Sequence, residues 1–457
     1  MYRKILKLIL SGFASTFLLP SASVGQIYPL SENTWSNPEF VKRFMGSYGV
    51  DTERSPGISS QERDIFNEVS EVIGENPQRA AELLAPKITS ESSAALDYTL
   101  ANIHFQIGNT ERAAENYKKA IAKFPNFRRA YMNLGILYIQ NGEYEEALPH
   151  LLKTIELGGG DGNLFGLVAF AHLNLGRSAQ ALPAYRMARM FAPYNKDWAM
   201  GEIQCLMNMS IFDEAIGLLD ELITRHPDDS SLLLLQANAF VGKQDLDRAV
   251  ANLEMVRSMG AETLSSLGLL ADIYMNMNQH ELALTIYLDT LEYQELDRNR
   301  AFRIAEVLAQ VGAWNEVTTY IDSFEERFSD SLTDSEELKL LNLKAEVALA
   351  EDRETEAIEM LQQVVRRDPL NGSALLLIAS YHWRQDDHEE AIIYFERAER
   401  VDDTEVEALI QHARMRVSLR EFDRAVELLQ RAQMLEPRGY VADYLEMVQQ
   451  AARSARN

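Results

Sequence analysis

The chain has 457 residues, 46 % of them apolar, and carries 44 basic and 69 acidic side chains for a formal net charge of -25. That apolar share excludes general disorder, and the acidic excess makes nucleic acid and anionic lipid surfaces poor partners. A single cysteine, Cys205, excludes an internal disulfide, so packing must hold the fold together.

Residues 1–25 read as a secretory signal peptide. Arg3, Lys4 and Lys7 make a basic start, Leu8 to Leu19 is an apolar run, and Ser21-Ala22-Ser23-Val24-Gly25 offers small residues for cleavage. The run is too short to span a bilayer, which takes about 20 residues. Its removal takes three basic groups and no acids, leaving 41 against 69, or about -28. The expected location is the periplasm, soluble or peripherally attached to a membrane complex, with no direct membrane span after cleavage.

Residues 26–60 form an arm with aromatic content: Trp35, Phe40, Phe44 and Tyr48, with Asn37-Pro38 as the start of a short helix. Two roles remain open for it, packing back onto the first helices or gripping a partner. Ser55-Pro56-Gly57 marks a turn, and Ser59 or Ser60 is the expected cap of the helix that follows. Gln61 to Lys87 then reads as a degenerate helix pair, with Ile65, Phe66, Val69 and Ile73 on one helix and Ala80, Leu83 and Leu84 on the next.

From Ala94 to Asp297 one pattern recurs every 34 residues. Ala113, Ala147, Ala181, Ala215, Ala249 and Ala283 mark it, each followed four residues later by a bulky side chain such as Tyr117, Leu151 or Tyr287. A small residue lets two antiparallel helices approach, and the bulky one fills the space a turn later. Turn signals fall between at Gly108-Asn109, Asn141-Gly142, Gly176, Ser210, Gly242 and Asn278. Val317 takes the alanine slot in a seventh unit, and Ala357, Ala391 and Ala425 resume the spacing after six extra residues within 328–335. That insertion is expected as an elongated acidic turn, dividing the array into blocks at 61–330 and 336–457. A last helix from Val441 is expected to cap the end.

No catalytic constellation emerges. The histidines are scattered, and His104, His172 and His382 share one slot of the unit, where packed and hydrogen-bonded imidazoles are expected. Clustered Cys, His and carboxylate ligands for a metal are missing from the pattern. Gly158-Gly159-Gly160-Asp161-Gly162 lacks the lysine and preceding strand of a phosphate loop, and it sits at a unit boundary. Cys205 reads as a small buried apolar residue. Enzyme activity, cofactors and metals are not expected.

The units resemble tetratricopeptide repeats over about residues 61 to 457. In the best copy Tyr131, Leu134, Gly135, Tyr138, Gly142, Tyr144 and Ala147 follow the family's order, and Pro125, Pro193, Pro227, Pro369 and Pro437 match its closing proline. The resemblance implies an all-α, right-handed superhelical solenoid of antiparallel helix pairs, whose first helices line a concave groove. Carried onto this sequence, the groove positions are Tyr98, Asn102 and Phe105; Met132, Ile136 and Ile139; Phe170 and Leu173; Met200, Gln204 and Met207; Leu234 and Asn238; and Met275. Methionines and amides adapt to more than one surface. Family members that hold terminal carboxylates use lysine, asparagine and arginine where this chain has Met132-Ile136 and Met200-Gln204. The expectation is a non-catalytic periplasmic scaffold or adaptor holding an envelope protein or peptide. The alternative is an accessory of an outer-membrane or polysaccharide export machine, which only the resemblance suggests. Oligomeric state is not legible.

Overall fold

The computed structural model describes residues 55–456. The signal-like run and the aromatic arm up to residue 54 lie outside them. The chain is an all-α solenoid of paired antiparallel helices, in two compact units that meet in sequence at Lys243 and Gln244. The first holds α1 (Ser60–Ile73), α2 (Pro77–Leu84), α3 (Ala94–Gln106), α4 (Thr110–Lys123), α5 (Arg128–Gln140), α6 (Tyr144–Glu156), α7 (Gly162–Asn174), α8 (Ser178–Phe191), α9 (Lys196–Asn208), α10 (Phe212–Arg225) and α11 (Ser230–Gly242). The second opens with α12 (Leu246–Ser258), α13 (Leu264–Asn276), α14 (His280–Thr290), α15 (Arg298–Gln310), α16 (Trp314–Phe328) and α17 (Asp334–Ala350). It continues with α18 (Glu354–Arg367), α19 (Gly372–Arg384), α20 (His388–Ala398), α21 (Glu405–Ser418), α22 (Phe422–Leu435) and α23 (Gly439–Arg456).

Local chemistry starts and stops these helices. Ser59 caps α1 in a capping box: its hydroxyl accepts from the Glu62 N–H, and the Glu62 carboxylate accepts from the Ser59 N–H at 2.7 Å. Asn76 caps α2 with Pro77 at the first position. Asp161 ends the glycine run by capping α7, accepting from the Leu164 N–H at 2.8 Å. In the first unit the turns inside the pairs from α3 to α10 pass through a left-handed residue, Gly108, Gly142, Gly176 or Ser210, with φ between 58° and 77°. In the second unit Gln244, Asn278, Gly312, Asp352, Asp386 and Arg420 take that conformation. The expected turn glycine Gly242 is therefore corrected: it is the last residue of α11. A side chain there would collide with Phe212, whose ring carbon lies 2.4 Å from the site of a Cβ.

The marker alanines are interior. Ala113, Ala147, Ala181 and Ala215 in the first unit, and Ala249, Ala283, Ala357, Ala391 and Ala425 in the second, are all 0 % exposed. On α5, Gly135 comes so near α6 that a Cβ on it would lie 2.6 Å from Leu151 Cδ2. Phe66, Tyr117, Phe127 and Trp198 fill the first unit, and Tyr320 and Phe395 fill the second. Cys205 is completely buried, and that burial, with Glu202 nearby, pushes its thiol up to about 12.

The insertion at 328–335 does not separate the units. It extends α16 into a short 3-10 turn (Ser329–Ser331) and lengthens the start of α17, which Thr333 and Glu336 close with a second capping box. Arg298 ties the turn down, donating from Nη1 to the Ser331 carbonyl at 2.7 Å. At the end of the second unit α23 packs Val441 and Val448 into one cluster with Leu409, Ile410 and Leu429, so the array closes on a covering helix.

Candidate binding groove

The first helix of each pair carries the implied groove positions, and burial sorts them. Tyr98 is 3 % exposed, Asn102 4 % and Ile139 9 %. Those three are corrected from groove lining to interior. Half-buried are Phe105 on α3, Met132 and Ile136 on α5, Phe170 and Leu173 on α7, Met200, Gln204 and Met207 on α9, and Leu234 and Asn238 on α11. Met275, on α13 of the second unit, is half-buried too.

Tyr98 and Asn102 are drawn inward by a polar knot. The Tyr117 hydroxyl donates to Asn102 Oδ1 at 2.5 Å, and Asn133 Nδ2 donates to the same oxygen at 2.8 Å and to the Tyr98 hydroxyl at 2.9 Å. Buried amides and phenols require such partners. The knot joins α3 and α4 to α5, and burial pushes the Tyr98 phenol up to about 12 against the lowering pull of its Asn102 and Asn133 hydrogen bonds and the Arg129 charge. Asn133 was missed from sequence because its slot faces the preceding pair rather than the groove.

Beyond the knot the lining turns apolar. Phe105, Ile136 and Phe170 lie against one core cluster of the first unit and Leu173, Met200 and Met207 against another. Tyr144 meets Phe170 edge-on at 5.8 Å. Gln204 donates to Asn208 at 2.8 Å, and Asn208 to the Ser178 hydroxyl at 3.2 Å, so the amides of α9 are fixed in place. Such a surface offers flexible thioethers and branched carbons around a few oriented amides, which is binding chemistry and not bond-making chemistry.

The second unit presents a different face. Asp272 on α13, Glu306 on α15 and Glu346 on α17 occupy the slot that Asn102 holds on α3. Burial, and then the neighbouring Glu306 charge, raise the Glu346 carboxyl above the usual range. Asp272 is also raised, by burial, against the pull of a Tyr287 hydrogen bond and the Arg300 charge.

Of the three histidines that share a slot, His104 is buried and His172 and His382 are half-buried. His104 and His172 are lowered by burial and then by Arg112 and Arg177, respectively, so the neutral ring is favoured. The expected hydrogen bonds are corrected in part: the Nδ1 atoms of His104 and His172 are buried without a partner, whereas His382 Nδ1 lies 3.1 Å from Asp387 Oδ2. Among the described residues no group of three or more His, Cys, Asp or Glu could hold a metal ion, and no helix is long and apolar enough to cross a membrane. A cavity of about 430 Å³ opens at the turns of the second unit, lined by Arg257, Glu262, Leu267, Asp289, Glu292 and Tyr293. Its charges are largely paired already, Arg257 with Asp289 at 2.6 Å and Glu292 with Arg327 at 2.8 Å.

Family profiles described as tetratricopeptide repeat match residues 98–161, 206–261 and 342–404, and a further one matches 266–299. A curated relative, DnaJ homolog subfamily C member 3 of Gallus gallus, is 22 % identical over 323 residues, covering 64 % of this chain and 63 % of that protein. The chain thus spans less than two thirds of that relative's length. Among solved structures, YrrB, a TPR protein with an unusual peptide-binding site, aligns at 21 % identity and a TM-score of 0.38, covering 41 % of this chain and 97 % of that one. Naa15/Naa10 bound to HypK-THB aligns at 17 % identity and a TM-score of 0.46, covering 85 % of this chain and 66 % of that one.

Proposed function

The chain is a helix-rich protein of tetratricopeptide repeats, and on that premise we propose that it is a non-catalytic scaffold of the cell envelope, holding another polypeptide against the first helices of its pairs. The observation that carries this reading is the half-buried row Met132, Ile136, Phe170, Met200 and Met207 in the first unit. These side chains rest on a finished core and still present apolar surface to a partner. An extended or helical segment with spaced apolar side chains suits such a row, because methionine adjusts its rotamers to the surface it meets.

The envelope assignment rests on the basic start and the Leu8 to Leu19 run, which have the make-up of an export signal. N-terminal sequencing of the chain recovered from an envelope fraction tests it. A start between about Ala22 and Ile27 supports export, and an intact Met1 on cytosolic chain contradicts it. Affinity capture from envelope extract, with the groove variants described in the Discussion as controls, tests the scaffold role itself.

A further inference from the structure

One second helix of the first unit has an outer face unlike the others. On α8, Pro183, Met187 and Met190 are spaced by four and three residues, share that face and are exposed. The matching positions carry charge elsewhere in the unit: Glu115 and Lys119 on α4, Lys153 and Glu156 on α6, Glu221 on α10. Among the described residues α8 is also the only second helix with no Asp or Glu. Its two arginines are already committed, Arg186 to Glu202 and Glu214, Arg189 to Glu202 and Glu221.

The apolar surface continues past the helix end. Met187 is 36 % exposed, Met190 74 %, Phe191 55 % and, in the turn that follows, Tyr194 84 %. Phe191 stacks on Phe165 at 5.8 Å, and the Arg225 guanidinium lies over the Tyr194 ring at 5.2 Å, so both rings are held in place. With Pro183 these side chains expose on the order of 500 Å², taking about 150–250 Å² for a whole large side chain. A patch of that size marks a contact surface. It also equals the apolar share, roughly 65 %, of the 800 Å² or so that each partner of a standard-sized homodimer buries.

Charge selects the occupant. A chain of net charge -25 repels its own copy wherever carboxylates line the contact. A basic partner finds its match on the acid-bearing faces of the neighbouring second helices, whereas a second acidic copy needs a contact without carboxylates. We propose that the outer face of α8 is the contact between two copies of this chain, related by a two-fold axis beside Met190 that sets the two α8 helices antiparallel. Each copy gives the same patch to such a contact. Met187 of one copy lies towards Tyr194 of the other, and Met190 meets its own equivalent. The contact is on second helices and is independent of the groove.

Sedimentation velocity of the full chain, from about 1 to 100 μM in about 0.15 M salt, tests this. The mass should rise with concentration towards two chains. Met187→Gln with Met190→Gln removes apolar surface without adding charge, and should raise the dissociation constant by at least about tenfold. Met255→Gln with Met434→Gln, at exposed methionines of α12 and α22, should leave it unchanged. Both pairs should melt as the wild type does, because all four side chains are exposed. Met190→Cys should form a covalent dimer under copper-phenanthroline oxidation and Met434→Cys should not, the buried Cys205 taking no part in either. A chain that stays monomeric over the range overturns the proposal, as does a dimer equally tight in the Met187 and Met190 variant. A dimer in which Met190→Cys cross-links no better than Met434→Cys overturns it too. So does flotation of monomeric chain with phosphatidylcholine vesicles, lost in the Met187 and Met190 variant, which assigns the face to a lipid surface.

Discussion

The Tyr287 hydroxyl donates to Asp272 Oδ1 at 2.7 Å, the same relation, fifteen residues apart, in which Tyr117 donates to Asn102 Oδ1 at 2.5 Å. One device therefore serves both units, a second-helix tyrosine gripping a first-helix acceptor, but one acceptor is neutral and the other is acidic. The difference has a thermodynamic consequence.

Burial holds the Asp272 carboxyl above its ordinary value, so the folded chain binds this proton more tightly than the unfolded chain does. Its contribution is fully present below the unfolded carboxylate range and is lost as pH rises through the raised folded value. Asp272→Asn, which places the Asn102 chemistry in the same slot, should remove that loss. Urea denaturation should find the variant more stable than wild type at pH 7 by on the order of 1 kcal/mol, with the gap closing towards pH 4. Parallel pH profiles for the two chains would contradict this assignment.

Ala147 is 0 % exposed on α6, one turn before Leu151, which leaves no room for a Cβ on Gly135 of α5. Ala147→Leu should cost about 1 to 3 kcal/mol by overpacking. The denaturation midpoint checks it, and an unchanged midpoint would mean that the crossing lies elsewhere.

The repeated alanines were legible because they report backbone distance, which a 34-residue period cannot mimic by chance. Ala147, Ala181 and Ala215 all lie where the spacing puts them. The turn at Gly242 was misread because glycine is the usual left-handed residue, whereas Gln244 takes φ 63° as readily as Ser210 takes 58° and Asn278 takes 57°. The insertion was legible as an elongated acidic turn: Ser329 to Thr333 form it at the surface, and only Asp334 and Ser335 join the helix that Thr333 caps. In the groove, helical period fixes which face a residue is on but not how far the next pair closes over it. Tyr98, Asn102 and Ile139 were therefore out of reach.

Cys205 is completely buried with its thiol pushed up to about 12. Its reaction with a disulfide reagent at pH 8 should be at least about a thousandfold slower than that of the urea-unfolded chain, from the thiolate fraction alone. Labelling in native buffer at near the unfolded rate would mean that α9 opens freely.

The central claim is that Met132 and Ile136 belong to a binding surface. The direct measurement compares Met132→Glu with Ile136→Glu, made together on α5, against a control pair, Ala179→Glu with Gln180→Glu, on exposed positions of α8. Both pairs add the same charge, so repulsion by the acidic chain is matched. Thermal melts report folding, and retention of the captured partner reports binding. The account predicts melts within about 1 kcal/mol of wild type for both pairs, as half-buried or exposed sites allow. It further predicts at least about a tenfold loss of retention for the groove pair alone, because a partner's apolar side chain would meet unpaired carboxylates. A collapsed melt for the groove pair would make these residues core, and undiminished retention would place binding elsewhere on the chain.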